Sequence, residues 1–165
     1  MKILTAIRSL TLIFLLPLRL QAHQDIVCWD QDCLQNGWTQ TDLLQNSFTD
    51  FQCYRSGCIN SGWIVGGTQN IKYYTQCISG DCFHQGWYEV DRETQSLLNQ
   101  VQCESKNCLT NGWTSYGSKG SLKTICKESD CKTRGWTSQT ANGGHSIVTC
   151  KLNSCFTQGW LQSEN

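Results

Sequence analysis

The residues of this 165-residue chain with the most chemistry to offer are its twelve cysteines and seven tryptophans, and their spacing is regular. The pattern Cys-x4-Cys-x3-Gly-Trp recurs six times, at 28–38, 53–63, 77–87, 103–113, 126–136 and 150–160. These units take every cysteine and six of the tryptophans. Paired cysteines admit three chemistries. Redox C-x-x-C and haem-attachment C-x-x-C-H motifs need two intervening residues, so four exclude both. Structural zinc uses reduced thiols at C-x2-4-C spacings, and four is the edge of that range. Disulfides need an oxidising compartment.

The N-terminus bears on that choice. Lys2 and Arg8 precede an apolar run from Leu10 to Leu18, followed by Leu20-Gln21-Ala22. A basic start, a short apolar stretch and a small residue at the end read as a secretory signal peptide over residues 1–22. The run falls short of the ~20 residues needed to span a bilayer, so no membrane span is expected after cleavage. The protein is expected to be secreted or periplasmic. Secretion argues against free thiols, so the sequence predicts no metal and no cofactor.

Each unit is expected to close its own bridge: Cys28–Cys33, Cys53–Cys58, Cys77–Cys82, Cys103–Cys108, Cys126–Cys131 and Cys150–Cys155. Chain entropy alone favours longer bridges between neighbouring repeats, at about 3.5 kcal/mol against about 2 for a local one. The spacing within units never varies, whereas the arms between them have 14, 13, 15, 12 and 13 residues. Fixed spacing and proximity favour local pairing.

The elements that position these residues follow from turn chemistry. Before the second cysteine stands Asp32, Gly57, Asp81, Asn107, Asp130 or Ser154, all of types preferred at a helix N-cap. Four positions beyond each second cysteine comes a glycine (Gly37, Gly62, Gly86, Gly112, Gly135 and Gly159), suited to the left-handed end of a helix. The cysteine turn is therefore a one-turn helix or a tight turn. The arms read as β-hairpins, with Gly/Asn turns between runs rich in β-branched and aromatic residues. The first arm (Thr39–Gln52) and the third (Tyr88–Gln102) lack the glycine turn, and Glu89–Glu93 admits a helical turn instead. Residues 23–165 form one mainly β domain, a disulfide-stapled tandem repeat of six ~24-residue units that must stack to bury their apolar faces. His23–Val27 and Leu161–Asn165 are half-arms whose pairing would close a ring. Six small repeats offer little to fill a ring's centre, so an open solenoid is expected.

The six Gly-Trp pairs, with their indoles at Trp38, Trp63, Trp87, Trp113, Trp136 and Trp160, have a structural and a stacking reading. Each indole can cover its cystine, packing with the residue after the second cysteine: Leu34, Ile59, Phe83, Leu109 or Phe156, with Lys132 the exception. Alternatively the indoles line one exposed face and stack on sugars or quaternary ammonium groups. Gly-Trp opening a hairpin resembles, in that feature, the choline-binding repeats of bacterial surface proteins. Repeat length and cysteines depart from that family, and Tyr73-Tyr74 alone clearly supplies the second-strand aromatics it uses.

Charge narrows the function classes. Residues 23–165 hold 10 basic and 13 acidic groups, net −3. That balance disfavours phosphate-backbone binding, so no nucleic acid is expected. Neither His23, His84 nor His145 recurs or joins a nucleophile signature, so no catalytic residues are expected. The leading expectation is a non-enzymatic binding or scaffold module for a protein partner. A carbohydrate- or cell-wall-binding module using a Trp ladder is the alternative, with a small secreted enzyme or inhibitor third.

Overall fold

The computed structural model describes residues 23–54, 57–67 and 70–164, so the signal-like segment 1–22 and Thr68-Gln69 of the second arm's turn lie outside the described residues. Twelve antiparallel strands form one closed barrel. In chain order they are β1 (Gln24–Cys28), β2 (Gly37–Asp42), β3 (Ser47–Cys53), β4 (Trp63–Gly67), β5 (Asn70–Cys77), β6 (Gly86–Asp91), β7 (Leu97–Cys103), β8 (Trp113–Gly117), β9 (Gly120–Cys126), β10 (Trp136–Thr140), β11 (His145–Cys150) and β12 (Trp160–Glu164). The expectation of an open solenoid is overturned, because the two half-arms pair. Strand β1 lies antiparallel to β12 with Ile26 opposite Trp160 and Gln24 opposite Gln162.

The ring's centre is filled at one level by the tryptophans of the six repeats. In register, Trp38 faces Cys28 on one side and Phe51 on the other, and Phe51 lies two residues before Cys53. The same step of two recurs at Trp87 with Cys77 and Val101, and at Trp113 with Cys103 and Thr124. A constant stagger per repeat tilts the strands and sets the barrel's width. It also brings all six tryptophans to one level on the inner face.

Every bridge is local: Cys28–Cys33, Cys53–Cys58, Cys77–Cys82, Cys103–Cys108, Cys126–Cys131 and Cys150–Cys155. All six lie at one end of the barrel. The second cysteine opens a single α-helical turn in four units, α1 (Cys58–Ser61), α2 (Cys82–Gln85), α3 (Cys108–Asn111) and α4 (Cys155–Gln158), and a hydrogen-bonded turn at 33–36 and 131–134. Asp32, Asp81, Asn107 and Asp130 each accept two backbone N–H groups of the turn they precede. Gly57 and Ser154 cap no amide with a side chain. Neighbouring turns are tied by the second cysteine's N–H, which donates to the carbonyl one residue beyond the previous unit's second cysteine: Cys58 to Leu34, Cys131 to Leu109 and Cys155 to Lys132. Cys33 N–H donates to Phe156 O at 2.9 Å, so this end closes on itself as well. Lys151 straps the same junction through the Asp25 carboxylate and, at 2.8 Å, Ile26 O.

The turn-ending glycines depart from expectation. Gly62, Gly86, Gly112 and Gly159 have φ 77°, 112°, 88° and 82° with ψ −162°, −164°, −161° and −168°. That is an extended mirror-image conformation open essentially to glycine alone, rather than the left-handed helical one. Gly37 and Gly135 share the positive φ, at 112° and 76°. All six are buried, because each lies against the next strand of the ring. A Cβ on Gly37, Gly62, Gly86, Gly112, Gly135 or Gly159 would strike the carbonyl oxygen of Phe51, Thr75, Val101, Thr124, Val148 or Ile26 respectively. Close approach of a neighbouring strand therefore demands glycine as much as the end of the turn does. Gly159 against Ile26 makes that approach across the closure itself.

Candidate binding site

The two ends of the barrel differ in kind. At the disulfide end the six indoles form a complete collar, with successive centroids 5.7, 5.3, 6.3, 5.5, 5.4 and 6.2 Å apart from Trp38 round to Trp38. Most neighbours are tilted or edge-on, the arrangement the ring quadrupole prefers, and each such pair contributes about 0.5–1.5 kcal/mol beyond area burial. Phe83 and Phe156 meet at 6.0 Å and pack against this collar. Trp63, Trp87, Trp136 and Trp160 retain only 6–9% exposure. The tryptophans are thus brought together, but on one another rather than along an outer face. The glycines before them (Gly37, Gly62, Gly86, Gly112, Gly135 and Gly159) are buried under the neighbouring strands, so they seat the collar and offer no stacking surface. Acrylamide should quench the native protein's fluorescence several-fold less than that of the reduced, denatured chain. Native quenching as strong as in the denatured chain would mean that the rings are open to stacking ligands.

Below the collar, the inner face changes character. Counting two residues back from each first cysteine gives Ile26, Phe51, Thr75, Val101, Thr124 and Val148, of which all but Phe51 are buried. Counting two residues on from each tryptophan gives Gln40, Val65, Glu89, Ser115, Ser138 and Gln162; Gln40, Glu89, Ser115 and Gln162 remain part-exposed. Inward side chains that keep exposure face an unfilled lumen. Cavities of about 250 and 460 Å³ open at its mouth; Leu122 and Thr140 border both, Gln162 and Glu164 the smaller, Asn99 and Ser115 the larger.

One wall of the lumen carries most of the polar chemistry. Asn99 Nδ2 donates to Glu89 Oε2 at 2.8 Å, and Trp87 Nε1 donates to Glu89 Oε1 at 3.4 Å. Thr75 is opposite Glu89, and Tyr73 opposite Asp91. Burial, with the Glu89 charge adding to it, raises the Tyr73 hydroxyl far above the usual phenol range, so it stays a neutral donor. The Thr75 hydroxyl is fully buried and has no hydrogen-bond partner. Four strands further round the ring, the buried Thr124 and Ser138 hydroxyls satisfy each other at 2.8 Å.

The hairpin tips ring the mouth. The first and third arms, the two without a glycine turn, are built alike. Asp42 Oδ1 accepts from Leu44 N and Gln45 N, and Asp91 Oδ1 accepts from Glu93 N and Thr94 N. Asn46 and Gln95 then take positive φ of 50° and 57° to re-enter the strand. The Thr94 backbone and hydroxyl hold the Asp91 carboxyl below its ordinary range. The helical turn admitted by the third arm is therefore the tip of a hairpin. These tips and their strands expose Leu43, Leu44, Phe48, Leu97 and Leu98, with Tyr116 opposite Gln100 on the adjoining strand.

The histidines are dispersed. His84 is exposed on α2 at the disulfide end, His145 is exposed where β11 begins at the mouth, and His23 precedes β1. Among the described residues no group of three His, Cys, Asp or Glu side chains is placed to hold a metal ion. Sequence reasoning missed the lumen wall and the tip leucines. Counting by twos from Cys and Trp would have found the wall had the ring been favoured. No family model, no curated protein and no solved structure matches the chain.

Proposed function

We propose that this is a non-enzymatic binding module that engages a protein partner through the hairpin-tip end of its barrel. The observation carrying this reading is the concentration of exposed apolar side chains on the tips of the first and third arms. Leu44 is 68% exposed, Leu97 58%, Phe48 52% and Leu43 49%. Exposed leucines scattered singly mean nothing, but leucine pairs grouped on built turns mark interaction sites. The turns that display them are held by carboxylate caps rather than by glycine flexibility, so a partner meets a preorganised surface. The opposite end is stapled and plugged, and serves as the base.

Strands of five to eight residues are shorter than the 9–11 a membrane-crossing strand needs. The outer face beside the bridges mixes the polar Thr39, Gln52, Gln76, Gln102, Thr114, Thr137 and Thr149 with the exposed Val27, Ile125 and Leu161. Among the described residues no helix is long and apolar enough to cross a membrane. Six disulfides support residence in an oxidising compartment, and the signal-like segment supports secretion or a periplasmic location.

The test uses the disulfide-bonded protein as bait in an extract of the cells that make it. Leu43→Asp/Leu44→Asp/Leu97→Asp should reduce retention of a bound protein at least tenfold, because each leucine contributes roughly 1.5–3 kcal/mol when buried. Leu152→Asp, at the opposite end and 85% exposed, should retain it, and thermal midpoints should be unchanged in both. A partner held equally by the triple variant, or retention of glycan alone, would overturn the reading.

A further inference from the structure

We infer that the barrel lumen is a binding site for an alkylammonium ligand of the polyamine class, a site separate from the tip surface and independent of it.

The first observation is the distribution of charge across the barrel wall. By strand register the inner face carries Asp42, Glu89, Asp91 and Glu164. Among the described residues, no lysine or arginine occupies an inward strand position, although Lys119 borders the larger mouth cavity. Lys72 and Lys123 are on outward strand positions, Arg92 and Lys119 are at tips, and Lys106, Lys127, Lys132, Arg134 and Lys151 are at the disulfide end. A cleft lined by one sign of charge between low-dielectric walls concentrates counter-ions. Glu89 thus stands part-exposed on the mid-wall, with the tip-capping Asp42 and Asp91 and the exposed Glu164 at the rim, where Lys119 also borders the larger mouth cavity.

The second observation is the unmatched hydroxyl. Thr75 is 0% exposed and its Oγ1 finds no partner, although it faces Glu89 across the β5–β6 pair. A buried hydroxyl left unpaired costs stability, and the equivalent Thr124, four strands further round the ring, is paired with Ser138. Glu89 is held from two sides by neutral donors, Asn99 and Trp87, and still keeps part of its surface open. A primary ammonium carries three donors and matches a carboxylate beside an unfilled acceptor.

The class of cation follows from spacing. The described carboxylates are not grouped to hold a metal ion, but are spread from the mid-wall (Glu89) to the rim (Asp42, Asp91 and Glu164). Several separated positive charges on an alkyl chain match that spread.

The experiment is calorimetric titration of the full disulfide-bonded protein with spermidine, and with putrescine against its neutral isostere 1,4-butanediol. Expected are saturable binding of spermidine, binding of putrescine and none of butanediol. Glu89→Gln should weaken spermidine at least tenfold, while Glu128→Gln, an exposed outer carboxylate paired with Arg134, should leave it unchanged. Thr75→Val should weaken binding at least threefold while the thermal midpoint stays level or rises, because the variant removes an unpaired hydroxyl. A merely structural threonine would not separate those two readouts. No binding, equal weakening by Glu89→Gln and Glu128→Gln, or butanediol binding as well as putrescine would each overturn the inference. If Glu89→Gln fails to fold, the Thr75→Val pair of readouts and the putrescine comparison decide it.

Discussion

Gly112→Val is expected to lower stability by more than about 4 kcal/mol or to prevent folding, a loss confined to a few severe mechanisms. Asn111→Ala, one residue earlier, should cost under about 1 kcal/mol. A Cβ built on Gly112 would lie 2.1 Å from the Thr124 carbonyl oxygen, 2.9 Å from its carbon and 3.0 Å from Ile125 Cα. All three are backbone atoms of β9, fixed by pairing with β8 and β10, so nothing flexible can yield. The backbone at Gly112 adds its own penalty, since φ 88° with ψ −161° is costly for any L side chain. Asn111 is exposed, and its side chain makes one 3.3 Å bond to Glu104 O. The contact at Cβ separates two causes. If left-handed geometry alone mattered, Gly112→Ala would be much milder than Gly112→Val; because the first carbon already collides, alanine should be nearly as damaging. Urea unfolding monitored by tryptophan emission gives all three values. A Gly112→Ala protein within about 1 kcal/mol of the parent would show that β9 gives way.

The same glycine shows what was legible from sequence. Its invariant place in six copies, four residues beyond a cysteine that follows a cap-type residue, is enough to infer a stapled turn. It was not enough to infer the mirror-image backbone of Gly62, Gly112 and Gly159, which answers to a strand that sequence spacing does not place beside them. The turn residues of the second, fourth and fifth arms were likewise enough for hairpins. Closure was not legible, for a physical reason. Whether repeats form a ring depends on a stagger of two residues per repeat, and stagger is a property of pairing between strands distant in sequence. The half-arms His23–Val27 and Leu161–Asn165 each offer one strand of a hairpin, which makes closure possible, but neither carries a register that requires it. The interior then follows from closure. Glu89 looked like part of a charged turn and Thr75 like any β-branched strand residue, yet register places both in the lumen. The tip leucines Leu43, Leu44, Leu97 and Leu98 were hidden because apolar residues in a strand-rich arm are ordinarily read as core.

Closure also changes what the tryptophans do. In an open array each indole would cover its own cystine and leave one face to solvent. In the ring each meets two others, so the collar is one cooperative unit and losing any member opens a gap beside two neighbours. A thin sequence supply of Leu, Ile and Val is thereby compensated by aromatic area at a single level of the barrel. The lumen beneath is free to be polar, because the apolar demand of the fold is met at the collar.

Full reduction of the six disulfides without denaturant is expected to unfold the barrel at 25 °C. Each local bridge contributes about 2 kcal/mol by restricting the unfolded chain, so six contribute about 12, as much as the whole stability of an ordinary domain at about 5–15. Removing one bridge, as in Cys103→Ala/Cys108→Ala, should therefore cost about 2 kcal/mol and leave the barrel closed. Losses should accumulate until the last bridges go together. Reduction should also proceed in a definite order, because exchange needs access to sulfur. The second cysteine of every unit is fully buried, so attack falls on the first. Cys53, Cys77 and Cys150 are part-exposed, whereas Cys28, Cys103 and Cys126 are 8%, 9% and 6% exposed. The 53–58, 77–82 and 150–155 bridges should open first, and 28–33, 103–108 and 126–131 last. Timed alkylation with peptide mass mapping reads the order, and near-ultraviolet circular dichroism of the packed indoles reads the collar. An undiminished tryptophan signal after complete reduction would mean that the aromatic collar closes the ring unaided; a random order of opening would mean that local fraying, not burial, governs access to each bridge.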